Sequence, residues 1–300
     1  MILKKFSREE VANYIPKDKE RAVLISISSP NGEPTADYSI MKERYVDILE
    51  LKFDDIEEDW EDCSKNPDGC NVKHNFVKFD DYMAFQIFSF LAQRNCIVGN
   101  WIAPSINEIV VNCSAGISRS AGVVVALNEI INEVIETEIP KEYERYNRTV
   151  YRRIITVSKS LKNTNRIVTA MHYLQAVTLH FKKPDYFMQH AIHTYNILKA
   201  TFGVREDTGM FVAGLLHDVL EDTPVTYNEI KYLFGESVAL LVKEVTKTKY
   251  NVFPNLTSMR GVILKFADRL SNLFNSYVSP EKDKEWKEKY IKKSKFWKSE

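Results

Sequence analysis

The sequence predicts two domains, an α/β fold followed by an all-α fold, with limits at residues 1–157 and 158–300. Strand and helix signals alternate in the first half of the chain, whereas the second half shows helical periodicity alone. All four cysteines lie in the first half, and five of the six histidines lie in the second. Residues 1–160 carry 20 Lys and Arg against 26 Asp and Glu, and residues 161–300 carry 21 against 15. The halves therefore differ in fold signals, in chemistry and in the sign of their charge.

The first domain contains runs of apolar and β-branched residues bounded by turn residues, and these runs predict strands. Apolar residues spaced three and four apart predict helices. The predicted strands cover residues 22–27, 45–53 and 108–112, and the predicted helices cover residues 80–95 and a segment that begins near residue 119. This alternation is typical of an α/β layer fold.

The second domain shows helical periodicity throughout. The predicted helices cover residues 167–181, 188–202, 210–220, 230–246 and 261–277. A Lys-rich segment at residues 282–298 carries aromatic residues at roughly helical spacing, and we interpret it as a docked amphipathic C-terminal helix with solvated lysines.

The overall composition excludes several classes of protein. An apolar fraction of 44% with 12% aromatic residues is too high for an intrinsically disordered chain. The 41 basic residues balance the 41 acidic residues, so no specific nucleic-acid partner is expected. The first ten residues lack the apolar core of a signal peptide, no apolar run approaches 18 residues, and four cysteines are too few for a disulfide framework. We therefore expect a cytoplasmic protein without a membrane partner.

The strongest local motif is a cysteine at the end of a predicted strand, followed six residues later by an arginine at which a helix begins. Residues 109–120 read Ile-Val-Val-Asn-Cys-Ser-Ala-Gly-Ile-Ser-Arg-Ser. Such a loop can direct successive N–H groups at one anion, and the helix N-terminus adds partial positive charge. The same field favours a nucleophilic thiolate at Cys113, while Arg119 can hold two phosphate oxygens. The alternative is that Cys113 is a buried apolar residue, which is the usual environment of a free cysteine.

This motif resembles the signature loop of the dual-specificity and tyrosine phosphatase family, and the resemblance covers about residues 20–156. It implies a cysteine-phosphatase fold that needs no metal cofactor. Cys113 would form a phosphocysteine intermediate, and Ser120 would aid its release. The resemblance implies that the phosphate is bound by residues Ser114, Ala115, Gly116, Ile117, Ser118 and Arg119.

The phosphatase family also uses a carboxylic acid that protonates the leaving oxygen. Asp54 and Asp55 follow a predicted strand at the matching position, and Asp55 is favoured. The pair Asp80-Asp81 is interpreted as a cap of the next helix. Asn112 stands where family members usually carry histidine. This departure predicts reduced activity and leaves a degenerate phosphate-binding domain as an alternative.

The second half brings together residue types that suit a divalent metal ion. His190, the dipeptide His217-Asp218, and Asp268 lie in three different predicted helices. Burying a carboxylate beside an imidazole is costly unless a cation or another partner compensates. Two histidines and two aspartates could hold an ion such as Mn²⁺ or Fe²⁺. The alternative is a capped or ion-paired helix without a metal.

Two further polar residues share helix faces with these candidates. Glu221 lies four residues after His217, and Asn272 lies four residues after Asp268. Both could position a water or a substrate. His193 lies one turn from His190 and is a rival ligand, which we interpret as a residue of the core or a support for the ligands.

Five motifs together resemble the HD hydrolase domain, in particular its RelA/SpoT-type hydrolase branch and the small stand-alone relatives of that branch. The resemblance covers about residues 165–280. The motifs are Gln-His-Ala at 189–191, Gly-Leu-Leu-His-Asp-Val-Leu-Glu-Asp-Thr at 214–223, Phe-Gly at 234–235, Glu-Val-Thr-Lys at 244–247 and Lys-Phe-Ala-Asp-Arg-Leu-Ser-Asn at 265–272. The resemblance implies one Mn²⁺, or Fe²⁺ or another divalent ion in its place, held by His190, His217, Asp218 and Asp268.

The same resemblance implies removal of the 3′-pyrophosphate from guanosine tetra- or pentaphosphate. Glu221 and Asp222 would activate the attacking water, whose pKa the ion lowers. Asn272 would assist at the substrate, and Lys182 and Lys183 of a shortened basic loop would bind it. Ala191 stands where proline is usual, and with the shortened loop it leaves open another 3′-phosphorylated nucleotide or NADPH as the substrate.

These interpretations combine into a bifunctional phosphohydrolase with a cysteine-dependent phosphomonoesterase and a metal-dependent nucleotide hydrolase. Its partners would be a phosphorylated nucleotide, a phosphoprotein, or both. One alternative keeps the nucleotide hydrolase and treats the N-terminal domain as a phosphate-binding regulatory module. Another is a non-catalytic protein that sequesters nucleotides.

Overall fold

The computed structural model describes residues 1–56, 76–96, 105–132, 145–179, 184–201, 207–247 and 255–278. The chain divides into two compact units, Met1–Thr164 and Asn165–Glu300. Lys182, Lys183 and the predicted Lys-rich helix at 282–298 lie outside the described residues. The domain limits at 157 and 158 stay a prediction.

The N-terminal unit is built on a four-stranded parallel sheet with the strand order β1-β4-β2-β3. Every residue of β2 and β4 is buried, which explains why the sequence of these central strands is almost continuously apolar. The strands are β1 (Ile2–Phe6), β2 (Ala22–Ser28), β3 (Asp47–Lys52) and β4 (Glu108–Asn112). The three predicted strands are confirmed, and β1 was not predicted.

Helices cover this sheet. Asp80 caps α3, since its side chain accepts a hydrogen bond from the backbone N–H of Met83, and the predicted capping role is confirmed. α5 packs against both α3 and α4. The helices of this unit are α1 (Arg8–Asn13), α2 (Tyr38–Arg44), α3 (Asp81–Ala92), α4 (Arg119–Asn132) and α5 (Arg148–Lys162). The predicted helices at 80–95 and from 119 are thus confirmed.

The described part of the C-terminal unit is all-α, as predicted. Its central helix is α8, in which every residue from Met210 to Leu216 is buried and which packs against α6, α7, α11 and α12. The helices are α6 (Arg166–Thr178), α7 (Pro184–Thr201), α8 (Thr208–Leu216), α9 (Val219–Asp222), α10 (Tyr227–Phe234), α11 (Glu236–Val245) and α12 (Met259–Val278).

Two segments predicted as single helices are each divided in the structure. The segment 230–246 is interrupted at Gly235, whose φ of 90° is incompatible with a continuous helix. The segment 210–220 is interrupted after Leu216, and at this point Nδ1 of His217 lies 2.9 Å from the Gly214 carbonyl oxygen. In a continuous helix this carbonyl would accept the N–H four residues later.

Among the described residues, no helix has both the length and the apolar character needed to cross a membrane.

Candidate functional site

Three side chains from three helical segments meet inside the C-terminal unit. His190 lies on α7, His217 lies in the turn after α8, and Asp268 lies on α12. The Nε2 atom of His190 is 3.1 Å from Nε2 of His217 and 3.3 Å from Oδ1 of Asp268. Nε2 of His217 is 3.7 Å from the same carboxylate oxygen. These three residues form a group that could hold a metal ion.

Asp218 contributes a further oxygen beside the two histidines. Its Oδ2 atom is 3.2 Å from Nε2 of His217 and 3.5 Å from Nε2 of His190. The side chain of Asp218 is 21% exposed, whereas those of the other three residues are 1–7% exposed. The group therefore opens to solvent on the side of Asp218.

The spacing of these four ligand atoms fits a small divalent ion. Ligands that lie about 2.0–2.2 Å from an ion are about 3.0 Å apart at right angles and about 3.5 Å apart in a tetrahedron. The five separations that involve a histidine nitrogen are 3.1–3.7 Å. The mixture of imidazole and carboxylate donors suits ions such as Mn²⁺ and Fe²⁺.

The protonation of the histidines also fits a bound cation. A carbonyl can only accept a hydrogen bond, so Nδ1 of His217, 2.9 Å from the Gly214 oxygen, carries the ring proton. Nδ1 of His190 is 2.9 Å from Oγ of Ser271. In the neutral form with the proton on Nδ1, both Nε2 atoms carry lone pairs that lie 3.1 Å apart, and these repel unless a cation, either a proton or a metal ion, lies between them.

The electrostatics of the group favour positive charge at its centre. Burial by itself lowers the pKa of His217, but the carboxylates of Asp218 and Asp268 raise it to about 10. The pKa of His190 is raised as well, because hydrogen bonds to both carboxylates outweigh its burial. Burial raises the pKa of Asp218 and of Asp268, but contacts with the two histidines hold both values well below the ordinary range.

Lys265 is a buried partner of this group that the sequence analysis did not single out. Its Nζ atom is 2.8 Å from Oδ2 of Asp268, and its side chain is 3% exposed. The ammonium group of Lys265 thus forms an ion pair with the carboxylate oxygen of Asp268 that does not face the histidines. The sequence signal for this ion pair was the position of Lys265 three residues before Asp268 on one predicted helix.

The two acidic residues of α9 have different surroundings. Glu221 accepts hydrogen bonds from the side chain of Lys247 and, at 3.3 Å, from its backbone N–H. The pKa of Asp222 is raised, first by burial and then by the negative charges of Asp218 and Glu221. Asp222 therefore holds a proton more readily than an ordinary aspartate does.

Asn272 contacts a proposed ligand directly. Its Nδ2 atom donates to Oδ1 of Asp268 at 2.7 Å and to the backbone oxygen of Asp268 at 3.1 Å. Asn272 thus restrains the carboxylate oxygen that faces the histidines. His193, the rival ligand, instead directs its Nδ1 atom at Ser271, 3.2 Å away.

In the N-terminal unit, the predicted phosphate loop connects β4 to α4. Cys113 follows β4 directly, and its Sγ atom lies 3.2 Å from Oγ of Ser120. The Arg119 guanidinium donates to the Phe53 carbonyl at 2.8 Å and to the hydroxyl oxygens of Ser29 and Ser114 at 3.2 Å each. Ser120 thus contacts the sulfur, and Arg119 contacts Ser114, the residue after Cys113, as well as Ser29, which the sequence did not indicate. The phosphate site itself stays a prediction.

The Asp55 carboxylate contacts the predicted phosphate loop, whereas the Asp54 carboxylate bonds to a different segment of the chain. Oδ1 of Asp55 accepts hydrogen bonds from Oγ of Ser118 at 2.7 Å and from Nδ2 of Asn147 at 2.9 Å. The Asp54 carboxylate instead accepts the backbone N–H of Val77 at 3.0 Å. Of the two carboxylates, Asp55 is therefore the one that contacts the loop between β4 and α4.

Asn112 is fully buried and connects the end of β4 to a neighbouring loop. Its Nδ2 atom donates to the Thr35 carbonyl at 2.9 Å. Within the described part of the chain its Oδ1 atom has no hydrogen-bond partner. Asn112 can therefore support the loop through hydrogen bonding, although an amide supplies no positive charge.

Replacing Gly116 by alanine is expected to lower the free energy of unfolding by about 2 kcal/mol or more. Gly116 has a φ of 71°, and a Cβ atom there would lie 2.6 Å from the backbone nitrogen of Ser7. Urea unfolding measures the effect, and Gly32→Ala is the matched control, since the exposed Gly32 has neither a positive φ nor a comparable clash. The control should change stability by about 0.5 kcal/mol or less. Equal effects of the two substitutions would contradict the prediction.

Residues 168–254 match the family model described as the HD domain. A guanosine-3′,5′-bis(diphosphate) 3′-pyrophosphohydrolase from Spiroplasma citri is 42% identical over 88 residues, which are 24% of this chain and 12% of that protein. One from Aquifex aeolicus (strain VF5) is 38% identical over 103 residues, or 30% and 15% of the two chains. A third pyrophosphohydrolase with this description, MESH1 from Drosophila melanogaster, is 35% identical over 103 residues, which are 31% of this chain and 57% of that protein. This chain thus spans between an eighth and somewhat over half of the length of these relatives.

Proposed function

We propose that the C-terminal unit is a divalent-metal-dependent phosphohydrolase that removes the 3′-pyrophosphate from guanosine tetraphosphate or pentaphosphate. The observation that carries this proposal is the convergence of His190, His217, Asp218 and Asp268 around one point. The reaction is that named for the three relatives, which match this part of the chain. Mn²⁺ is the proposed ion, and Fe²⁺ or another divalent ion would suit the same donors.

When bound, a divalent ion lowers the pKa of water and offsets charge on the phosphoryl group. The chain's own residues complete the chemistry. Lys265 and Asn272 hold the two oxygens of Asp268, so that one oxygen stays directed at the histidines. Asp222 accepts a proton from the attacking water and returns it to the leaving oxygen, while Glu221, paired with Lys247, fixes the adjacent backbone. The proposed nucleotide contacts of Lys182 and Lys183 lie outside the described residues.

Removal of the metal is expected to abolish hydrolysis of guanosine tetraphosphate by the full chain. Protein dialysed against EDTA should regain activity on addition of Mn²⁺, and anion-exchange chromatography should show guanosine diphosphate and pyrophosphate as products. Other 3′-phosphorylated nucleotides and NADPH are assayed in parallel, since they are the alternative substrates. Hydrolysis that persists in EDTA, or no stimulation of any of these substrates by Mn²⁺, would refute the metal-dependent activity.

A second activity is proposed for the N-terminal unit, cysteine-dependent hydrolysis of a phosphomonoester without a metal. The observation that favours it is the contact of Cys113 with Ser120 in a loop that Arg119 spans. The sulfur would attack phosphorus as the ester bond breaks, and Asp55 would protonate the leaving oxygen. Water would then cleave the sulfur–phosphorus bond, which releases phosphate and restores the thiolate. Turnover of p-nitrophenyl phosphate in EDTA that requires Cys113 is the test.

The two activities together would make the chain a bifunctional phosphohydrolase acting on a phosphorylated nucleotide, a phosphoprotein, or both. If the N-terminal unit binds phosphate without turnover, it is a regulatory module, as Asn112 in the usual histidine position allows. If neither unit turns over its substrate, the chain sequesters nucleotides instead.

A further inference from the structure

A single buried hydroxyl joins two histidines of α7. Oγ of Ser271 on α12 lies 2.9 Å from Nδ1 of His190, 3.2 Å from Nδ1 of His193 and 3.4 Å from the backbone oxygen of His190. Ser271 is fully buried, and His190 is 5% exposed. His193 lies one turn after His190 and is partly exposed.

The protons of this trio can be assigned from the role of His190. A histidine that binds a metal through Nε2 carries its proton on Nδ1, and the hydrogen bond made by Nδ1 fixes this tautomer. The Nδ1–H of His190 therefore donates to Ser271. The hydroxyl must then direct its own proton elsewhere, and Nδ1 of His193 is its nearest remaining acceptor, because the His190 carbonyl lies farther away, at 3.4 Å, and within a helix.

We infer that His193 is a positioning residue, which acts through Ser271 to hold His190 with its bare Nε2 atom directed at the ion. As an acceptor, His193 keeps the hydroxyl proton of Ser271 away from His190 and leaves the serine oxygen free to accept. This inference rests on the proposed metal site and deepens it. Groups that orient a metal-bound histidine typically change metal affinity about 10–100-fold when they are removed.

Two substitutions of His193 separate hydrogen bonding from packing. The ring of His193 also packs edge to face against Phe274, with the ring centroids 5.7 Å apart. His193→Phe keeps an aromatic ring but loses the acceptor. His193→Asn loses the ring but places an amide oxygen where Nδ1 stood. If His193 acts through Ser271, the phenylalanine variant should bind Mn²⁺ about tenfold more weakly, and the asparagine variant should bind within about twofold of the wild type.

Mn²⁺ affinity is measured on the full chain by the electron paramagnetic resonance signal of the free ion, so the readout does not depend on turnover. Ser271→Ala should weaken binding at least as much as His193→Phe. Adding His193→Phe to Ser271→Ala should then cause little further loss, since the histidine has lost the group through which it acts. Circular dichroism of each variant checks that the helices remain folded.

The outcomes distinguish this inference from the proposed function. Normal binding by His193→Phe with weak binding by His193→Asn would assign a packing role to His193 and overturn the inference. Additive losses in the double variant would also overturn it. A wild-type chain that binds Mn²⁺ but does not hydrolyse guanosine tetraphosphate would overturn the proposed function and leave the inference open to the same comparison of variants. A wild-type chain that binds neither Mn²⁺ nor Zn²⁺ would overturn both.

Discussion

Replacing Asp218 by alanine should reduce metal-dependent hydrolysis of guanosine tetraphosphate at least about a thousandfold, which corresponds to about 4 kcal/mol of transition-state stabilisation. Oδ2 of Asp218 lies 3.2 Å and 3.5 Å from the two histidine nitrogens, so its removal takes away one of four converging donors. It also removes the negative charge that helps to raise the pKa of His217. The measurement is the initial rate of pyrophosphate release at saturating Mn²⁺.

Two controls accompany this variant. Glu236→Ala removes an exposed acid of the same unit, whose ion pair with Lys231 lies at the surface, and should leave the rate unchanged. The turnover of p-nitrophenyl phosphate in EDTA by Asp218→Ala should equal that of the wild type, since this activity is assigned to the other unit. More than a tenth of the wild-type nucleotide hydrolysis in Asp218→Ala would exclude Asp218 as a required ligand.

The second large effect is expected from Cys113→Ser, which should lower metal-free turnover of p-nitrophenyl phosphate by about a thousandfold or more. A serine hydroxyl is a far weaker nucleophile than a thiolate, and the loop offers no general base comparable to the histidine of a serine hydrolase. The substitution changes one atom in a side chain that lies 3.2 Å from Ser120, so the loop should remain intact. The measurement is the steady-state rate in EDTA.

Cys96→Ser is the matched control, because Cys96 is also a free, buried cysteine of the N-terminal unit. Burial raises the pKa of the Cys96 thiol to about 12, so it stays protonated and unreactive at neutral pH. This variant should keep full activity. If Cys96→Ser and Cys113→Ser lost activity equally, the loss would reflect a damaged core. If Cys113→Ser kept its activity, the thiol mechanism would be wrong.

The central elements of the fold could be predicted because their sequences depend on burial alone. β2 and β4 are buried along their whole length, so the short apolar runs at residues 22–25 and 109–111 mark them clearly. β1 is an edge strand in which Lys4 and Lys5 interrupt the apolar pattern, and single-sequence periodicity does not detect such a strand. The division after Leu216 was equally hidden, since neither glycine nor proline stands at residues 217 and 218.

The sequence could suggest the residues whose side chains would bind a metal, but not the residues that hold those side chains in place. Histidine and aspartate in apolar helices stand out as buried polar groups that need a cation. Lysine and serine carry no such signal, because they are usually solvated or serve as caps. The burial of Lys265 against Asp268 and of Ser271 between two histidines depends on how α7 packs against α12. The spacing of Lys265 and Asp268 on one helix allows their contact, but the burial of Lys265 and of Ser271 follows from tertiary packing and requires the structure.

The first eight residues of the chain help to hold the predicted phosphate loop between β4 and α4 in place. The Phe6 carbonyl accepts the N–H of Cys113, and the Arg8 N–H donates to the Ser114 carbonyl. β1 also shields one side of β4 by pairing with all five of its residues. Removing these residues would therefore delete two backbone hydrogen bonds that hold the loop, and it would make β4 an unpaired, strongly apolar edge strand of the sheet. A chain shortened in this way would be prone to self-association by strand pairing along the exposed edge of β4.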